Sequence, residues 1–179
     1  MKQAVLCIIG LCFLVMGCAS PAEVGNMVVD QHALVSATVD TPFRNNLAIK
    51  YIGGGEETNP MWTSEVSNAG FEAALKGSLD KSGLLAPSPN MATFDVSATL
   101  EELDQPIFGL DLQVKSLVQY KVVERNTQKA WLDQPIIASF TATFSDAAIA
   151  IRRLRLANEG AIRTNITQFI ERLMTAKAP

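Results

Sequence analysis

The chain is poor in the residues that carry most enzyme chemistry. Of its 179 residues, three are cysteine and one is histidine. All three cysteines, Cys7, Cys12 and Cys18, stand in the first 18 residues, so the body from Ala19 onward can form no internal disulfide in any redox compartment. His32 would have to serve any Ser-His-Asp triad, and no G-x-S-x-G motif accompanies it; a surface or satisfied histidine is the expectation. Without body cysteines a zinc site would be built mostly from carboxylates, which suit zinc poorly. No metal and no cofactor are expected. Charged residues make up only 18 % of the chain and the net charge is −3, with no Lys/Arg stripe dense enough to follow phosphates. Nucleic acid is therefore not an expected partner. What is plentiful is apolar content, 48 %, which indicates a folded globule instead of a disordered tail.

The apolar residues are concentrated at the start. Met1-Lys2-Gln3 carries one positive charge, and an apolar run from Ala4 to Met16 follows. That is the basic and hydrophobic layout of a secretory signal, and it falls short of the roughly 20 apolar residues that span a bilayer. The run closes on Val15-Met16-Gly17-Cys18, followed by Ala19-Ser20-Pro21. This resembles the bacterial lipobox, with an aliphatic residue at −3 and a small one at −1; Met16 departs from the small or aliphatic residue usual at −2. The resemblance implies a signal peptide over residues 1–17 and a diacylated Cys18 as mature N-terminus. It also implies the outer membrane, because Ala19 stands where an inner-membrane retention signal would usually have Asp. Acyl chains contribute about 0.8 kcal/mol per buried CH₂, so two or three of them anchor a chain stably. An ordinary signal peptide or a retained anchor is the alternative reading.

Removal of residues 1–17 leaves the 162 residues from Cys18 to Pro179, enough for one domain. Residues 18–28 are small and polar and read as a tether, whose ten or so residues reach no more than roughly 35 Å. Residues 29–179 read as a single α/β domain. A weak edge strand is expected between Val28 and Val39, and a strand over Asn46–Ile52. Gly53-Gly54-Gly55 breaks it. Asn59-Pro60 predicts a helix start, N-cap followed by proline at the first position, and Gly83 a helix stop. Trp62, Val66, Ala69, Ala73 and Phe71, Leu75, Leu79 would form its apolar face.

Three strands follow. Phe94, Val96, Ala98 and Leu100 alternate with polar residues, and Glu101–Pro106 reads as a polar turn. The longest alternation runs through Phe108, Leu110, Leu112, Val114, Val118, Tyr120 and Val122, with Gln113, Lys115, Leu117 and Gln119 on the other, wet face. Glu124–Gln128 makes a hairpin loop, and the chain returns through Trp131, Ile136, Ala138, Phe140, Ala142 and Phe144. Ser145-Asp146 is expected to cap a last helix with a stripe through Ile162, Ile166, Phe169 and Leu173, broken near Asn158–Gly160 because glycine costs a helix about 1 kcal/mol against alanine. The expectation is an α+β two-layer sandwich, a mostly antiparallel sheet of about four strands with two helices on one face, in the order β-α-β-β-β-α.

Few residues in this frame suggest a site. Gly53-Gly54-Gly55 precedes Glu56-Glu57 where a phosphate loop needs Lys and Ser/Thr, so it reads as a flexible turn. Glu101, Glu102 and Asp104 lack calcium-loop spacing and read as solvated acids. Arg152, Arg153, Arg155 and Arg163 are candidates to grip anionic headgroups or a carboxylate-rich partner, against a solvated helix face paired with Glu159 and Glu171. Trp131, flanked by Lys129 and Asp133, is the candidate interface anchor, and the wet sheet face could also receive a partner.

The lipobox, the element order and the last helix through Leu156-Ala157-Asn158-Glu159-Gly160-Ala161-Ile162-Arg163-Thr164-Asn165-Ile166 together resemble small envelope lipoproteins. These include the YajG-like lipoproteins and, more distantly, the lipoprotein that partners the lipopolysaccharide translocon. The resemblance implies a non-enzymatic envelope protein held to a membrane by its N-terminal lipid, binding another envelope protein or a lipid or glycolipid. The alternatives are a hydrolase of cell-wall or lipid substrates and a regulator of a peptidoglycan synthase or transporter.

Overall fold

The computed structural model describes residues 19–30, 41–60 and 63–176. The expected signal segment, Cys18, His32, Trp62 and most of the expected edge strand lie outside these residues. In chain order the elements are α1 (Val24–Met27), β1 (Leu47–Gly53), α2 (Asn68–Lys81), a 3₁₀ turn (Pro89–Met91), β2 (Phe94–Asp104), β3 (Leu112–Glu124), β4 (Ala130–Ala142) and α3 (Ala150–Thr175). The strands form one sheet in the order β1-β2-β3-β4. β1 and β2 are parallel, joined through α2 as parallel neighbours require, and the other pairs are antiparallel.

The expected sandwich is the observed one. Val96, Ala98, Val118, Tyr120, Val122 and Ile136 point to one side of the sheet and meet Phe71, Leu75 and Leu79 of α2 and Ile162, Ile166 and Phe169 of α3. Tyr120 stacks on Phe169 with ring centroids 4.0 Å apart. The opposite side of β3 exposes Gln113 and Lys115.

Several boundaries differ from expectation for tertiary reasons. α2 begins at Asn68, not at Pro60, and its N-cap is Ser67, whose hydroxyl accepts from Gly70 N–H. Pro60, Ser64 and Glu65 instead make long-range hydrogen bonds, described below. Residues 28–30 pack on α2 outside the sheet, Val29 N–H donating to Ser78 Oγ at 3.0 Å. Gly53-Gly54-Gly55 is a packed corner and not a flexible turn. Gly54 has φ +81°, and a Cβ there would stand 1.9 Å from the Leu100 carbonyl oxygen. The acids Glu101, Glu102 and Asp104 belong to β2, which continues past a bulge between Leu100 and Glu102 and pairs Asp104 with Lys115. β3 starts only at Leu112, so Phe108 and Leu110 belong to the preceding loop.

The last helix starts at Ala150 and is unbroken. Asp146 does not cap it; its carboxylate accepts from Thr143 N–H at 2.7 Å and closes the turn before it. Gly160 stays helical because α3 lies so close to β4 that a Cβ would stand 2.2 Å from the Phe140 ring. The propensity cost is accepted for that close approach.

Candidate functional site

The 13-residue β3 defines two ends of the domain about 40 Å apart, at 3.2–3.4 Å per residue. The hairpin 125–128 marks one end. The loops 105–111 and 143–149 mark the other, and the N-terminal segment begins there.

Residues 19–30 are bound along the helices, which corrects the expectation of a free tether over 18–28. Ala19 N–H donates to the Pro60 carbonyl at 2.9 Å and Ala22 N–H to that of Glu65 at 3.2 Å. The Ser64 hydroxyl donates to the Ser20 carbonyl at 2.7 Å. α1 then buries Met27 against α2 and α3.

The tightest fastening is at Glu159, in the middle of α3 and only 1 % exposed. Its carboxylate accepts from Glu23 N–H at 2.7 Å and from Asn26 Nδ2 at 2.8 Å. Arg155, one turn earlier, lies 3.5 Å from Glu159 and 3.1 Å from the Glu23 carboxylate. Burial pushes the Glu159 carboxyl above its ordinary value, and the Glu23 amide, Asn26 and Arg155 pull it back part of the way. Arg163 donates to the Asn26 carbonyl and lies over the Phe140 ring, 5.6 Å from its centroid.

A second set of bonds ties this segment to the loop between β2 and β3. The Ser64 carbonyl accepts from Asn158 Nδ2 at 2.6 Å and from Gln105 Nε2 at 3.0 Å. Gln105 also donates to Glu65 Oε2 at 3.1 Å. Burial pushes the Glu65 carboxyl up, with hydrogen bonds from Thr63 and Gln105 opposing it. Ser64 thus links Ser20, the base of the 105–111 loop and α3.

That loop carries three large apolar side chains into solvent: Ile107 at 92 %, Phe108 at 86 % and Leu110 at 75 % exposure. Phe144 and Ile149 of the neighbouring loop are also exposed. Arg153, 3 % exposed, joins the two loops. Its guanidinium donates to the carbonyls of Ala147 at 2.6 Å, Ala148 at 3.3 Å and Gly109 at 3.3 Å, and it lies 5.5 Å from the Phe144 ring centroid. Phe144 N–H donates to Asp111 Oδ1 at 3.0 Å.

The residues singled out in the sequence are not gathered into one site. Trp131 sits near the hairpin end, half-buried, edge-on to Phe43 and Phe94 with centroids 5.5 Å apart. It is part of an aromatic cluster with Lys129 over its ring at 5.4 Å, and not a protruding anchor. Arg153, Arg155 and Arg163 are tied to backbone carbonyls or carboxylates as described, which corrects the reading of a cationic grip; Arg152 alone of the four is exposed. Glu159, read as a solvated partner, is buried. Glu23, Asn26, Asn158 and the apolar trio were not singled out, although Pro106 and Gly109 flanking Ile107-Phe108 were a legible sign of a loop. Among the described residues no group of three His, Cys, Asp or Glu side chains is placed to hold a metal ion.

No family model matches the chain, and no curated protein matches it. Solved structures do. A DUF330 protein from Xanthomonas campestris is 11 % identical over 79 % of this chain and 92 % of its own, with a TM-score of 0.53. A minor lipoprotein from Acinetobacter baumannii is 12 % identical over 75 % of this chain and 98 % of its own, TM-score 0.45. Lipoprotein GNA1162 from Neisseria meningitidis is 9 % identical over 73 % of this chain and 97 % of its own, TM-score 0.42. At 11 % identity the likeness to the DUF330 protein is one of fold alone.

Proposed function

We propose that this chain is an outer-membrane-anchored lipoprotein that acts as a non-catalytic binding or assembly factor of the cell envelope. The observation that carries the reading is the fastening of residues 19–30. A lipid on Cys18 would leave the domain from a fixed point, one residue before the Ala19–Pro60 hydrogen bond. Such a domain stands against its membrane with its sheet face directed elsewhere. No helix among the described residues is long and apolar enough to cross a membrane.

The space between helices and sheet is taken up by fully buried Phe71, Leu75, Tyr120, Ile162 and Phe169. That favours a protein partner over a glycolipid held between the layers. The surface offered to it is the outer sheet face, where Leu117 pairs across the strands with exposed Ile137, flanked by the Gln113–Thr141 hydrogen bond at 3.4 Å and the Gln119–Asp133 bond at 2.7 Å. An apolar pair within a polar rim is the usual plan of a protein interface.

The test has two parts. Mass spectrometry of the native protein should find a diacylglyceryl group on Cys18, and Cys18→Ser should move the protein from the outer-membrane fraction to the soluble one. A photo-crosslinker at Ile137 should then capture a discrete envelope protein in intact cells, while one at Asn126 should not. An unmodified amino end would refute the anchor, and equal capture at both positions would refute the sheet face.

A further inference from the structure

At the end of the sheet where the chain enters the fold, four consecutive loop positions hold three of its most exposed large apolar side chains, Ile107, Phe108 and Leu110. We propose that this loop inserts into the lipid bilayer beside the acylated Cys18, as a second, non-covalent membrane contact. The proposal rests on the anchoring argued above.

Three observations support it. First, three large apolar side chains within four positions stand almost wholly in solvent, a concentration that in a folded protein marks an interaction surface. Second, the loop is held in place. Arg153 donates to the Gly109 carbonyl at 3.3 Å, Asp111 accepts from Phe144 N–H at 3.0 Å, and Gln105 fastens its base through Ser64. A loop fixed with its apolar side chains outward is presenting them. Third, the same Ser64 whose carbonyl receives Gln105 donates its hydroxyl to the Ser20 carbonyl. Cys18 lies two residues before Ser20 and Ile107 two residues after Gln105, each span reaching at most about 7 Å. Ser20 and Gln105, both fastened to Ser64, hold the start of the described chain at the base of the loop, so a lipid just upstream of it would bring the patch toward the bilayer.

The surroundings favour the hydrocarbon boundary over charged headgroups. The strand leading into the loop carries Glu101, Glu102 and Asp104, and the strand following it begins after Asp111, while Arg153 and Arg155 are already engaged. The loop 105–111 itself carries no Lys or Arg, and the exposed cations nearest to it in the fold, Lys115 and Arg152, are too few to make a polybasic collar, so its insertion should be mainly apolar and little affected by salt, unlike polybasic membrane contacts. Phe144 and Ile149 widen the contact, as interfacial elements buried about 5–10 Å deep require.

The mature chain has no cysteine besides Cys18, so an introduced thiol is unique once Cys18 is acylated. Phe108→Cys and Asn126→Cys, in the full lipidated protein, are labelled with an environment-sensitive fluorophore and reconstituted in phosphatidylcholine vesicles. The label at position 108 should shift to the blue, be quenched several-fold more by lipids carrying a shallow doxyl group than the label at 126, and hold that difference between 50 and 500 mM salt. Equal quenching at both positions overturns the proposal. A blue shift without doxyl quenching also overturns it, since it marks a protein, a second copy included, as the occupant. If neither variant floats with the vesicles, the anchored reading fails and this proposal with it.

Discussion

Glu159→Ala removes the fastening of the N-terminal segment at its centre. The wild-type carboxylate accepts two hydrogen bonds, at 2.7 Å from Glu23 N–H and 2.8 Å from Asn26 Nδ2, and pairs with Arg155 at 3.5 Å. Bonds to a charged acceptor are worth about 1.5–3 kcal/mol each. Two effects reduce the total: Glu23 and Asn26 can turn to water once the segment lifts, and a buried carboxylate no longer has to be desolvated. A loss of about 2–3 kcal/mol remains, which lowers the melting temperature by roughly 4–12 °C in a domain of this size. The loss should be local first. Hydrogen exchange should quicken at residues 22–29, Val29 N–H included, while the β3 amides keep most of their protection. pH supplies an independent check. Burial holds the carboxyl above its ordinary value, so across the window between the two values the folded chain binds the proton that the unfolded chain has lost. The stabilisation from this group is therefore fully present below the ordinary glutamate range and declines as pH rises through the raised value. Glu159→Gln should remove that decline. Unchanged melting and exchange in Glu159→Ala would refute the fastening, and uniform acceleration of exchange through β3 would refute its local character.

Other substitutions test other parts of the fold. Gly160→Ala should destabilise the domain by about 1–3 kcal/mol, overpacking outweighing the helix propensity gained, and combining it with Phe140→Ala should recover part of that loss in a denaturant-midpoint double-mutant cycle. Arg153→Ala leaves the carbonyls of Ala147, Ala148 and Gly109 without their donor; a loss of about 2–3 kcal/mol and new proteolytic cleavage within 105–111 are expected. Tyr120→Phe removes a fully buried hydroxyl that has no hydrogen-bond partner, so thermal melting should show no loss and up to about 1 kcal/mol of gain.

The alternation from Leu112 to Val122 and the stripe Ile162–Ile166–Phe169 each report local backbone geometry directly, because side chains repeat with the pleat or the helical turn. The same reasoning carried the strand too far, to Phe108, since a period of two cannot distinguish an apolar residue facing a core from one facing outward on a loop. Local chemistry at Asn59-Pro60 also suits a helix start, but Pro60, Ser64 and Glu65 are bonded instead to residues 19–22, Gln105 and Asn158.

From the sequence alone came the apolar run that closes on Cys18, the order of elements, the one-sided faces and hence the sandwich. Each of these depends on residues a few positions apart. Only the tertiary structure decided that Arg153, Arg155 and Arg163 are ties, that Trp131 is half-buried, and that residues 19–22 are bonded to the segment that also receives Gln105. The reason is sequence distance: Glu159 meets Glu23 across 136 positions and Arg153 meets Gly109 across 44, separations over which no local period carries information.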